Sequence, residues 1–175
     1  MRRSELAGLR WDQVDLVARR LGVVNTLQHI TGRGLVEGAP KTAKSRRSIA
    51  LSDTAVDLMH VIRGSQIQLS QAAGPAWEET GYVFVQADGT PIDPDTATKD
   101  FTAIVRHAGL PRLTFHGLRH AHATLLLSAG VHPKVVSERL GHSNIAITMD
   151  TYSHVLPGLQ EAAVASLDAY LAGGR

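Results

Sequence analysis

A chain of 175 residues with 43% hydrophobic residues can bury one sizeable core, and with 19% charged residues it holds no apolar window long enough for a transmembrane span. It has no cysteine, which excludes disulfides and thiol chemistry and fits a reducing cytoplasm. The net charge of +2 hides an asymmetry: residues 1–47 carry ten Lys/Arg against four Asp/Glu, residues 48–100 two against eight, and residues 101–175 six against four. The basic first part suits a polyanionic partner while the acidic middle suits solvent. Met1-Arg2-Arg3 is not followed by an apolar run, so no signal peptide is read there.

Taken in order, Ser4 is placed to cap a short helix through Leu9. A small antiparallel sheet follows over Arg19–Leu51. Its strands are Leu21–His29, with Val23, Val24 and Thr26; Leu35–Gly38, after a Gly32-Arg33-Gly34 turn; and the alternating Arg47, Ile49 and Leu51. A basic loop, Ala39-Pro40-Lys41-Thr42-Ala43-Lys44-Ser45-Arg46-Arg47, joins the last two. Ser52 caps a helix predicted over 53–69. Gln71–Thr80 reads as a loop, Gly81–Gln86 as a short extended run, and Asp88-Gly89 as a turn. Asp95 or Thr96 opens a helix that Gly109 stops. None of this middle section carries recognisable chemistry.

The chemistry lies in residues 116–152. Leu118, Leu125, Leu126 and Leu127 predict a helix over His116–Ser128, with Gly130 near its end. Pro133 suits the first turn of a second helix that meets Gly141. A third, Asn144 to Thr151, leads to Tyr152. His116 and Arg119, three apart, share a helix face. An arginine, two histidines and a tyrosine around this glycine-punctuated core suit work on a phosphate, since Arg offers a planar fork of donors and Tyr a nucleophile. His116 and His120 stand at zinc-like i, i+4 spacing, but no Glu lies between them, no Cys is present and no third ligand is evident. Past Tyr152, Pro157-Gly158 breaks the chain, and Leu159, Ala163, Leu167 and Tyr170 predict a final amphipathic helix over about 158–172.

Three segments in order, His116-Gly117-Leu118-Arg119-His120, Leu140-Gly141-His142-Ser143 and Thr151-Tyr152-Ser153-His154, resemble the catalytic core of the tyrosine recombinases, the phage-integrase family. Each is weak alone, and their order and spacing make the resemblance specific. Arg2-Arg3-Ser4-Glu5-Leu6 is similar to the family's segment around its first catalytic arginine, which matches Arg2, with Glu5 as the acidic residue after it. The basic loop resembles the family's hairpin loop, so Lys41 matches its mobile catalytic lysine, with Lys44 as the rival.

The resemblance implies an α+β fold, mainly helical with a small three-stranded antiparallel sheet near the N-terminus. It implies DNA cleavage and rejoining through a 3′-phosphotyrosyl intermediate. Tyr152 would be the nucleophile, Arg2, Arg119 and His142 the stabilisers of the phosphate, Lys41 the proton donor, and His116 the acceptor of the tyrosine proton or a partner of the phosphate. Glu5 would orient its neighbours, His120 would support the site from behind or serve the fold, and no cofactor or metal is expected. Arg2, Lys41, Lys44, Arg46, Arg47 and Arg119 would face double-stranded DNA. A homo-oligomer, a tetramer on DNA at full length, is expected, with the C-terminal helix docked on a neighbour. A cytoplasmic, nucleoid-associated site is also implied. In the family a DNA-clamping domain and further helices precede the first arginine, so residues 1–175 are expected to form one catalytic domain without them.

Other readings of the same residues are a helix-turn-helix DNA-binding module over Ala123–Tyr152, an inactive recombinase remnant that binds DNA, and a type IB topoisomerase. Tyr82 and Tyr170 are read as packing residues. His122 reads as core or surface.

Overall fold

The computed structural model describes residues 1–40, 45–142, 144–152 and 159–173. Its α+β architecture is mainly helical: α1 (Arg3–Ala7), α2 (Asp53–Ala73), α3 (Pro94–His107), α4 (Phe115–Ser128), α5 (Pro133–Leu140), α6 (Ile145–Tyr152) and α7 (Leu159–Gly173). Between α1 and α2 lie the strands β1 (Val14–Asp15), β2 (Arg20–Val23), β3 (Thr26–Ile30), β4 (Gly34–Gly38) and β5 (Arg47–Ala50). None of the described helices is long and apolar enough to cross a membrane.

The run Leu21–His29 is not one strand. It divides at Val24-Asn25 into β2, which joins β1 and β5 in a three-stranded antiparallel sheet, and β3, which pairs with β4 in a separate hairpin. The reason is that two cores compete for its apolar residues. In one continuous strand Leu27 would share the face of Leu21 and Val23. Instead Leu21 and Val23 pack with Leu9, Ile49, Met59 and Val83, while Leu27 packs with Ala7 and Tyr82. Residues 81–86, expected to be extended, make only isolated bridges, Arg10 to Tyr82 and Val85 to Pro91.

Helix α1 starts one residue before the expected Ser4 cap. Arg2 occupies the N-cap position, and its backbone N–H donates to Glu5 Oε2 at 2.6 Å. Gly8 ends this helix where a Cβ would stand 2.8 Å from the backbone of Thr26 and Leu27. Glycine therefore lets α1 rest directly on β3, which fixes where Arg2 and Glu5 point.

A third core joins α4 to α5. Ala123 and Leu127 follow Arg119 at four-residue steps and pack against Val136 and Leu140. The Thr114 hydroxyl accepts from Gly117 N at 2.9 Å to cap α4, and Pro133 begins α5. Helix α5 ends on Gly141, which is left-handed at φ 70°, ψ 46°. Helix α5 also packs on β5 and α6, so the turn at Gly141 lies where the sheet and the helical layer meet. Helix α7 exposes Val164, Leu167, Tyr170 and Leu171, and Tyr170, expected to pack, is 80% exposed.

Candidate active site

The site is built on the turn that ends α5. Two arginines from opposite parts of the chain grip successive carbonyls of this turn. Arg119, buried on α4, donates from Nη2 to Leu140 O at 2.6 Å. Arg2, at the start of α1, donates from Nη2 to Gly141 O at 3.1 Å. The next residue is His142, whose Nδ1 lies 2.8 Å from the hydroxyl of Thr148, a fully buried residue of α6. Burial, then the charges of Arg119 and Arg2, hold the His142 pKa down at about 4. His142 is therefore a neutral imidazole at pH 7, next to two guanidinium groups.

Glu5 organises the arginines. Only 1% exposed, it accepts from the backbone N–H of Arg2, from Arg2 Nη1 at 2.8 Å, and from Arg47 Nη1 and Nη2 at 3.1 and 2.9 Å. Burial alone would raise its pKa. The hydrogen bonds from Arg47 and Arg2 outweigh that and hold it at about 2. Arg47 was expected to face DNA. Its guanidinium instead turns inward, giving Nε to Arg139 O at 2.9 Å and Nη1 also to Ser45 O at 2.9 Å. Arg46, its neighbour, is exposed.

The histidines of α4 form a pair. His116 Nε2 and His120 Nε2 are 2.6 Å apart, with rings edge to face. Burial, then the charges of His116 and Arg119, lower the His120 pKa. His122 stands apart and accepts from Arg139 Nε at 3.1 Å. Tyr82 packs as expected, donating its hydroxyl to Glu37 at 2.9 Å under the guanidinium of Arg10.

Two concavities flank the turn. One, about 300 Å³, is lined by Arg2, Arg3, Gln28, Phe115, His116 and Arg119. The other, about 580 Å³, is lined by Arg20 of β2, by Arg46 and the edge of Arg47, and by Lys134, Arg139 and His142. The structure thus gathers Arg2, Glu5, His116, Arg119, His120 and His142. Tyr152 closes α6, the helix that begins three residues after His142. Lys41, Lys44, Ser143 and His154 lie outside the described residues.

Sequence reasoning missed Thr148, and it misread the direction of Arg47. Neither carries a local signal: Arg47 meets Glu5, 42 residues away, and Thr148 meets His142 across the break between α5 and α6. Among the described residues, His29, Asp93 and Asp95 have ligand atoms within 4.8 Å of one another. Those atoms already serve the fold: Asp93 caps α3 and pairs with His29, and Asp95 pairs with Arg3.

A sheet-and-helix domain whose arginines and histidines converge on a Leu-Gly-His turn defines a class, and the chain belongs to the phage integrase family, matching it over residues 1–158. It is 35% identical to a tyrosine recombinase XerC-like protein of Caldanaerobacter subterraneus subsp. tengcongensis, over 96% of this chain and 46% of that protein. It is 34% identical to an integrase of Saccharopolyspora erythraea, over 82% of this chain and 32% of the relative. The fold is similar to that of the Tn1549 transposon integrase in complex with circular intermediate DNA, with a TM-score of 0.79 and 26% identity over 95% of this chain and 56% of that one. The chain therefore spans about half the length of the relatives it matches, or less.

Proposed function

We propose that this chain is the catalytic domain of a site-specific DNA recombinase that cuts and rejoins strands through Tyr152. The observation that carries the reading is the grip of Arg2 and Arg119 on adjacent carbonyls beside His142, at the foot of the helix that ends in Tyr152. In the proposed step Tyr152 Oη attacks a backbone phosphorus, and the bond to the 5′ oxygen breaks. The tyrosyl proton passes to His116, and Lys41, or its rival Lys44, protonates the leaving oxygen. The phosphotyrosyl ester keeps the bond energy, so the reverse attack by a 5′ hydroxyl reseals the strand without a nucleotide. Negative charge gathers on the non-bridging oxygens, where Arg2, Arg119 and neutral His142 donate. Loss of one such donor typically slows a reaction about 10²–10³-fold.

Double-stranded DNA is the substrate, with Arg46, Lys44, Lys134 and Arg20 along its path and salt-sensitive binding as the consequence. Assembly as a homo-oligomer on DNA is part of the same reading, with the apolar residues of α7 covered by a neighbouring copy. The place of action is the nucleoid. The test is a nicked suicide duplex. The wild-type chain is expected to form a protease-sensitive covalent adduct, in EDTA as well as in magnesium, and Tyr152→Phe to form none. Adduct in the Phe variant excludes Tyr152. Tight DNA binding with no adduct leaves a helix-turn-helix-like binding module.

A further inference from the structure

We propose that Arg47 is a positioning residue of the cleavage site, which keeps the charge of Arg2 available to the scissile phosphate by taking up the charge of Glu5. The inference rests on the cleavage reading above. Arg47 opens β5 opposite Val23, directly after the basic loop, among residues that sequence assigns to DNA. Its side chain is only 7% exposed, against 44% for Arg2. A guanidinium has five N–H groups. Arg47 makes four hydrogen bonds to protein, two on the Glu5 carboxylate and two on the carbonyls of Arg139 and Ser45. Little is left for a phosphate.

The charge balance explains what this arrangement does. Arg2 and Glu5 alone would form a neutral pair, poor at attracting an anion. With Arg47 added, the group carries one net positive charge, and the exposed member of the trio is Arg2. Arg47 also touches the turn itself: a Cβ at Gly141 would stand 2.8 Å from Arg47 Nη1. One buried guanidinium thus sets the charge of Arg2 and the placement of the carbonyls that hold Arg2 and Arg119.

The test compares the wild-type chain with Arg47→Met, Arg47→Lys, Arg46→Ala and the double variant Arg47→Met/Glu5→Gln. The probe is a pool of nicked duplexes of random sequence. Single-turnover adduct formation at saturating DNA and the Kd for the pool are both measured below the Tm of every variant. Arg47→Met is expected to slow adduct formation about 10–100-fold, the order found when a partner that orients a metal ligand is lost, with Kd changed less than about twofold. Arg47→Lys should stay slow, because an ammonium cannot reproduce the bidentate fork. Adding Glu5→Gln to Arg47→Met should recover a large part of the rate, since it removes the charge that Arg47 had balanced. Arg46→Ala should raise Kd, as expected of an exposed arginine that meets the DNA directly.

If Arg47→Met behaves like Arg46→Ala, or the double variant is no faster than Arg47→Met, Arg47 does not act through Glu5 and the inference is overturned. A wild-type chain that makes no adduct with any duplex sinks the cleavage reading, and this inference with it. A reactive wild type matched in rate by Arg47→Met sinks the inference alone.

Discussion

At the scale of single residues, the pair His142–Thr148 bears on how, in the proposed cleavage, an imidazole serves a phosphate at neutral pH. Burial, then Arg119 and Arg2, keep the His142 pKa near 4. A neutral ring has one N–H, and its position depends on the partner of the other nitrogen. If the Thr148 hydroxyl, 2.8 Å from Nδ1, donates to it, the ring proton sits on Nε2, free to donate to a phosphate oxygen. Thr148→Val keeps the shape and removes the hydroxyl. A hydrogen bond of this kind contributes about 1 kcal/mol, which corresponds to a five- to tenfold drop in saturated adduct formation. Thr148→Ser should restore the rate, and Kd should not move. A Val variant as fast as wild type would show that the hydroxyl does not orient the ring. Since the folded pKa lies below the ordinary 6.5, His142 should produce no inflection in the rate between pH 6.5 and 5. It should lose its neutral form only as pH falls through about 4. The sequence singled out His142 by its Leu-Gly-His-Ser setting. It could not single out Thr148, which reads as an ordinary helical threonine until α6 folds back against the turn.

At the scale of elements, what the sequence disclosed depends on whether the stop signals were local. Gly130, Pro133 and Gly141 are local, and α4 and α5 begin and end within a residue of where those residues place them. The break inside Leu21–His29 is not local. It arises because two cores draw on one β-rich run, and no turn residue marks it. The same contrast applies inside the site. Arg119 could be read from its spacing to His116, whereas the inward turn of Arg47 depends on Glu5, 42 residues away. Gly141 joins both kinds of information. Its φ of 70° is a local requirement, and the contact of a Cβ with Arg47 at 2.8 Å is a tertiary one. Gly141→Ala should therefore cost more than the roughly 1–2 kcal/mol expected for a left-handed non-glycine residue. Asparagine separates the two causes, because it tolerates that backbone but still carries a Cβ. If backbone strain were the whole cost, Gly141→Asn would recover most of the stability in a urea titration. The expected result is that Asn recovers little, with adduct formation impaired in both variants.

At the scale of the whole molecule, the site lies on a seam. The sheet side brings Arg2, Glu5 and Arg47, the helical side brings Arg119, Leu140, Gly141 and His142, and the buried Glu5 carboxylate is bound from both α1 and β5. That makes Glu5 a point where acid should loosen the protein. Its folded pKa of about 2 lies below the 4.5 of an unperturbed glutamate, so the native state favours the ionised form. The stability this contributes is complete above about pH 4.5 and is lost as pH falls through about 2. At about 1.4 kcal/mol per unit, the contribution is on the order of 3 kcal/mol, a large share of the stability of a typical domain. Glu5→Gln should be less stable than wild type at pH 7, because it gives up the charge-assisted fork from Arg47 and the ion pair with Arg2 and leaves Arg47 buried without its counter-charge. The gap should close as pH falls from 4.5 to 2, since wild type then loses the same charge. Urea titrations of both proteins at several pH values across this window read the difference directly. A gap that stays constant down to pH 2 would mean that Glu5 titrates alike in the folded and unfolded chain, and that its arginines do not hold the seam.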